Sequence, residues 1–248
     1  MSGGPGLPAA VRACLFDLDG VLTRTAVAHA AAWKQMFDEF LAGWGAGDRR
    51  PFDAHHDYDR WVDGRPRADG VRTFLASRGI VLPEGDPGDP PERPTVNGLG
   101  NRKNVLLLER IRKDGVETYP GSVAYVRAVR DAGLRRAVVS SSANCREILA
   151  AAGIEDLFEE RVDGLVAARL GLPGKPRPDT FLEAARRLGA APGEAAVFED
   201  ALAGVEAGRA GHFGLVVGVD RTGQEQALRE HGADTVVKDL SELMEDRA

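Results

Sequence analysis

The sequence predicts an α/β fold: a doubly wound parallel sheet with a helical cap domain inserted after the first strand. Three observations lead there. From about residue 117 to the end, short apolar runs alternate with helical patterns, which implies a parallel sheet covered on both faces. Two apolar runs, in "CLFDLDGVLT" (14–23) and "AAVFED" (195–200), break abruptly into carboxylates. Between residues 24 and 117 the pattern turns helical, and nothing there reads as a strand.

Taken in order, "MSGGPGLPAA" opens the chain without the positive start or apolar stretch of a signal peptide, and residues 1–10 are expected to be a flexible tail. The first strand follows. "AVAHAAAWKQMFDEFLAGW" (26–44) places Trp33, Phe37, Phe40 and Trp44 at helical 3–4 spacing. Further helices are expected near 68–78 and 102–113, separated by the Pro/Gly-rich, acidic loop "LPEGDPGDPPERP" (82–94). "RRAVVSSS" (135–142) reads as a buried strand, and "CREILAAAGI" as a helix that Gly153 stops. "PDTFLEAARRLG" (178–189) is amphipathic, with Phe181, Leu182, Ala185 and Leu188 on one face. "AAVFED" is a strand, "ALAGVEAGRAG" a helix, and "FGLVVGVD" and "TVVKDL" the last two strands. The expected boundaries are a core at 11–23 and 118–248 and a cap at 24–117.

Composition narrows the function classes. The 248 residues can bury a sizeable core, and 43% hydrophobic with 28% charged is ordinary for a globular protein. A net charge of −6 argues against nucleic acid as a partner. No apolar run approaches the roughly 18 residues of a membrane helix, so no membrane partner is expected. Cys14 and Cys145 lie far apart and form no metal-binding pair; they read as buried free thiols, in keeping with a cytoplasmic location. The chain is expected to act as a monomer.

Chemistry concentrates at the strand ends. In open α/β sheets the ligand site lies at the carboxyl ends of the strands. Asp17 and Asp19, Ser140 with Ser142, Lys175 after a loop, and Glu199 with Asp200 all fall there. Side chains at i and i+2 leave a strand on the same side, so Asp17 and Asp19 crowd each other. Two carboxylates about 4 Å apart repel by roughly 4 kcal/mol at an effective dielectric near 20. A bound cation resolves that conflict, and hard oxygen ligands with room for water and phosphate suit Mg²⁺. Each residue also has a plainer reading: Ser140 to Ser142 and the Glu199–Asp200 pair can cap the helices that follow them. Lys175 can be a solvated loop lysine, and His29 and Trp33 core residues of one helix. His55 and His56 read as surface.

"DLDGVLT", Ser140, "GKPRPD" and "FEDALAG" resemble, in order and spacing, the four motifs of the haloacid dehalogenase-like hydrolase superfamily. The helical insert falls where that superfamily carries its cap, over a Rossmann-like core. "LFDLDGVLTRTAVAHAAAW", "TYPG" and "SSSAN" extend the likeness to the β-phosphoglucomutase group. The resemblance implies that Asp17 is a nucleophile that accepts a phosphoryl group, and that Asp19 is the general acid/base. Ser140 and Lys175 would hold the transferring phosphoryl oxygens. Mg²⁺ would be bound by Asp17, the main-chain carbonyl of Asp19, and Asp200, with Glu199 as a ligand or its neighbour. Gly20 would let the chain turn away at the phosphate.

The same resemblance assigns substrate contacts to Thr25, His29, Trp33, Gly64, Arg67, Lys103, Ser142 and Asn144. Gly64 and Arg67 in "DGRPRADG" (63–70) match a Gly-x-x-Arg loop whose arginine grips the phosphate not being transferred. Asp63 departs from the pattern, because the β-phosphoglucomutases carry lysine before that glycine. The implied activity interconverts β-glucose 1-phosphate and glucose 6-phosphate, with glucose 1,6-bisphosphate as activator. The alternative is a sugar-phosphate phosphatase using the same site with water as acceptor. A signalling receiver domain shares some of these residue types, but it places its acidic pair before the phosphoacceptor strand and has no large insert.

Overall fold

The computed structural model describes residues 5–45 and 48–245. The chain divides into two compact units, Met1–Arg24 with Val116–Ala248, and Thr25–Gly115.

The first unit is built on six strands: β1 (Ala13–Phe16), β2 (Arg135–Val139), β3 (Glu160–Val162), β4 (Ala195–Glu199), β5 (Leu215–Val219) and β6 (Thr235–Val237). Their order is β3-β2-β1-β4-β5-β6, and every pairing is parallel. This order reverses direction between β1 and β4, the switch point at which open α/β sheets bind ligands. β1 and β4 are buried throughout, and apolar up to Glu199 at the end of β4, because helices, α4 (Pro120–Asp131) among them, cover both faces. One face packs Leu15, Val139 and Val197 against Phe181, Ala184 and Val205. Register aligns the strand ends: Phe16 pairs with Val138 on one side and Phe198 on the other. The Asp17 amide continues the ladder by donating to the Phe198 carbonyl at 2.9 Å.

The helical unit contains α1 (Thr25–Gly43), α2 (Arg67–Ser77) and α3 (Val96–Asp114). Among its described residues no strand occurs. Its core is aromatic: Phe37 stacks on Trp33 and Phe52 with ring centroids 5.3 Å apart, and Phe74 lies 4.1 Å from Phe37. A short π-helical turn, Tyr58–Val62, precedes α2.

Several sequence expectations are revised. Helix α3 starts at Val96, six residues before the expected 102, because the Thr95 side chain accepts the Gly98 amide at 3.0 Å and caps it. The glycines of "VNGLGN" masked that start: Gly98 lies against the Arg93 carbonyl and Gly100 against the Arg67 stem. Strand β3 and the seven-residue helix α6 (Gly164–Leu170) were not expected. β3 carries Glu160 and Arg161, which have no strand pattern of their own, and it is held by its pairing with β2. Of the expected flexible tail, residues 1–4 lie outside the described residues. From Pro5 on, the chain is anchored: the Tyr125 hydroxyl donates to the Pro5 carbonyl at 2.8 Å, and Leu7 is buried.

Candidate active site

The site forms at the carboxyl ends of β1, β2 and β4. Asp17 follows β1, Ser140 follows β2, and Glu199 ends β4 with Asp200 next to it. Lys175 arrives from the loop before α7 (Asp179–Arg187). Asp17, Ser140, Lys175, Glu199 and Asp200 are all buried, Lys175 and Glu199 almost completely.

The Lys175 ammonium is the hinge of the cluster. It donates to Asp17 Oδ1 and to Glu199 Oε1, both at 2.5 Å, and to the Val139 carbonyl at 3.1 Å. All three of its protons are thus used. Glu199 Oε2 accepts the Ala201 amide at 3.0 Å, so both Glu199 oxygens are engaged within the protein. Glu199 fits there because Gly204, on α8 (Leu202–Ala210), has no side chain: a Cβ at that position would stand 1.8 Å from Glu199 Oε1.

The loop after β1 closes on itself. The Leu18 carbonyl accepts the Leu22 and Thr23 amides and the Thr23 hydroxyl, and the Gly20 amide donates to the Thr23 carbonyl. Gly20 takes φ +90°, and a Cβ there would meet Asp200 Oδ2 at 1.7 Å. Only glycine allows the loop to lie against that carboxylate. Asp19 is half-buried, and its amide donates to the Asp17 carboxylate.

The electrostatics are under tension. Burial pushes Asp17 up to about 6, with Lys175 opposing and Asp19 adding to the shift. Burial likewise pushes Glu199 up to about 7 against the pull of Lys175. Burial alone would lower Lys175, but the Asp17 and Glu199 carboxylates outweigh it and hold the ammonium charged. One ammonium does not balance three buried carboxylates. Asp17, Glu199 and Asp200 each bring one oxygen to within 4.8 Å of the others. Buried, oxygen-only and net negative, the group fits a hard divalent cation such as Mg²⁺. Asp17 and Asp200 are the side chains best placed to hold it, since Glu199 is committed to Lys175 and Ala201.

Of the other expected contacts in this unit, Ser140 Oγ accepts the Ser142 amide at 3.1 Å. Ser142 Oγ accepts the Asn144 amide at 3.2 Å, just before α5 (Cys145–Ala151). The helical unit gathers its own group. Lys103 is buried, its ammonium 3.1 Å from His29 Nδ1 and 5.0 Å from the centre of the Trp33 ring. Burial, then the Lys103 charge, lowers His29 well below its usual value, so the imidazole is neutral. Thr25 opens α1 and Arg67 opens α2. Gly64 turns at φ +68°, and Asp63 Oδ1 accepts its amide at 3.0 Å, so the acid that departs from the family pattern fastens this loop.

Sequence reasoning missed Gly204, Gln224 and Arg221. Gln224 Nε2 donates to the Asp200 carbonyl at 3.1 Å, and Arg221 Nε donates to the Gly20 carbonyl at 2.8 Å. Both polar residues follow β5, and extending the strand-end rule to that strand would have found them.

A family described as haloacid dehalogenase-like hydrolase matches residues 11–212. A protein of Mycobacterium bovis named beta-phosphoglucomutase is 55% identical over 245 residues, 96% of this chain and 94% of that protein. One of Bacillus subtilis with the same name is 32% identical over 94% of this chain and 92% of its own. Among solved structures, a beta-phosphoglucomutase from Clostridium difficile superposes with a TM-score of 0.73 at 23% identity, covering 94% of this chain and 93% of that one.

Proposed function

We propose, on the premise that the chain belongs to the haloacid dehalogenase-like hydrolase family, that it transfers a phosphoryl group between positions of a sugar phosphate with the aid of Mg²⁺. The reaction assigned to it is the interconversion of β-glucose 1-phosphate and glucose 6-phosphate, primed by glucose 1,6-bisphosphate. The 55% identity to the mycobacterial beta-phosphoglucomutase along nearly the whole of both chains supports that substrate. The observation that carries the chemistry is the buried contact of Lys175 with both Asp17 and Glu199, beside Asp200.

In this reading Asp17 attacks one phosphorus of the bisphosphorylated sugar, forming an oxygen–phosphorus bond while the bond to the sugar oxygen breaks and a sugar monophosphate leaves. Asp19 gives that oxygen a proton. In the other half Asp19 takes a proton from the free hydroxyl of an incoming sugar monophosphate, which removes the phosphoryl group from Asp17 and regenerates the bisphosphate. Carboxylates serve this covalent role, and the acid/base partner typically contributes about 10²–10⁴-fold. Lys175 and Ser140 hold the phosphoryl oxygens, where charge gathers in a loose transition state. Asp17, the Asp19 carbonyl and Asp200 would hold Mg²⁺, which when bound neutralises the crowded carboxylates and the incoming phosphate. Arg67 is assigned the phosphate not being transferred, for which a guanidinium offers two parallel donors. Thr25, His29, Trp33, Gly64, Lys103, Ser142 and Asn144 complete the assigned substrate contacts.

The test supplies β-glucose 1-phosphate, Mg²⁺ and a trace of glucose 1,6-bisphosphate. Glucose 6-phosphate without free phosphate, lost in Asp17→Asn, is the expected result. Free phosphate alone would make the protein a phosphatase, and neither product would remove both readings for this sugar.

A further inference from the structure

We propose that Arg221 is a positioning residue of the active site, holding the loop after β1 in the geometry that Asp17 and Asp19 need. Arg221 lies 201 residues from Gly20 in sequence, yet its Nε donates to the Gly20 carbonyl at 2.8 Å. Its Nη2 reaches the Val21 carbonyl and the Ser122 hydroxyl, each at 3.4 Å. The loop satisfies the Gly20 amide internally, through the Thr23 carbonyl. The Gly20 and Val21 carbonyls instead turn outward to this guanidinium.

The arginine is itself fixed from three sides. Nη1 donates to the Lys238 carbonyl at 2.7 Å and stands 3.6 Å from the Asp239 carboxylate. Its guanidinium carbon lies 3.5 Å from the centre of the Tyr119 ring. Tyr119 in turn donates its amide to the Leu22 carbonyl at 3.0 Å, so the stack grips the far end of the same loop. The side chain is only 15% exposed, which fixes its rotamer. One planar cation therefore joins the ends of β5 and β6 to both limbs of the loop.

The consequence lies in what Gly20 touches. Its α-carbon faces Asp200 with no room for a Cβ, and the preceding residue is Asp19. A shift of the Gly20 carbonyl away from Arg221 moves the Asp19 backbone and side chain and loosens the seat of Asp200. Arg221 contacts no reacting atom in this scheme. It acts through the loop, so its loss should fall on turnover and metal affinity rather than on substrate capture. Misplacement of a reacting group by about 1 Å is enough to cost roughly 10²-fold in rate.

The proposal rests on the phosphoryl-transfer reading for its kinetic arm and not for its metal arm. Arg221→Ala is compared with the intact chain by steady-state kinetics, thermal melting and Mg²⁺ calorimetry. The expected result is a fall in kcat of at least tenfold with KM within threefold, and a severalfold weaker Mg²⁺ affinity. Added guanidinium ion at low millimolar concentration should restore part of both, and urea at the same concentration neither. Unchanged kcat and Mg²⁺ affinity would overturn it. If Arg221→Ala does not fold, Arg221→Lys decides: a fivefold loss of kcat at an unchanged melting temperature supports the role, and unaltered kcat overturns it. An intact chain that turns over no sugar phosphate would count against the functional reading, and the Mg²⁺ comparison would then decide this one alone.

Discussion

The ammonium of Lys175 lies 2.5 Å from Asp17 Oδ1 across 158 residues of sequence, and it binds Glu199 Oε1 at the same distance. Removing it leaves two buried carboxyls with no counter-charge. Breaking a buried ion pair on one side typically costs about 3–5 kcal/mol. Lys175→Met is expected to lose stability of that order in denaturant titration without metal. Lys175→Met combined with Glu199→Gln should lose less than the sum of the two single changes, since the charge left unpaired is then smaller. Strict additivity of the two would show that the contact is energetically idle.

The raised carboxyls predict a pH dependence whose sign is the reverse of the common one. Asp17 moves from 3.8 to about 6 and Glu199 from 4.5 to about 7, so between about pH 4 and pH 7 the native state holds protons that the unfolded chain has released. Raising the pH through that window therefore destabilises the metal-free protein. Lys175 is shifted upward, so its contribution persists below its ordinary value of 10.5 and does not fade in this window. A divalent cation competes with those same protons. Mg²⁺ is expected to raise the melting temperature clearly at about pH 7.5 and little at about pH 5. Equal gains at both would place the ion somewhere other than this cluster.

Gly204 gives a third test, at a residue with no chemistry of its own. In Gly204→Ala the new methyl would stand 1.8 Å from Glu199 Oε1 and 1.9 Å from its carboxyl carbon. Overpacking of this kind costs about 1–3 kcal/mol. The displaced Glu199 would release Lys175, and turnover is expected to fall at least tenfold. Gly193→Ala, whose added methyl meets nothing within 4 Å, should keep full turnover. Normal kinetics in Gly204→Ala would show that Glu199 can move without consequence.

Much of the fold was readable because the strands that matter are short, apolar and buried on both faces. "CLF", "AVV" and "AVF" are short, rich in β-branched or bulky apolar residues and ended by polar residues, which fits the middle of a covered parallel sheet. Strand β3 was not readable, since Glu160 and Arg161 carry no strand signal and only pairing with β2 makes them extended. The start of α3 was hidden for a related reason. Its first turn is rich in glycine, which lowers helix propensity, and the cap at Thr95 and the close approach of Gly100 to Arg67 compensate. Asp63 shows the limit of motif comparison: the pattern marked it as a reversed charge, whereas the folded loop uses it to hold the Gly64 amide.

The sequence by itself determined which chemical groups this protein owns and at which strand ends they emerge, because period-two alternation and chain order fix both without reference to distant contacts. Tertiary structure alone decided which of those groups meet. Lys175 reaching Asp17 and Glu199, and Arg221 clasping Gly20, are contacts between residues 24 to 201 positions apart. They arise from strand register and helix packing, which no local pattern encodes.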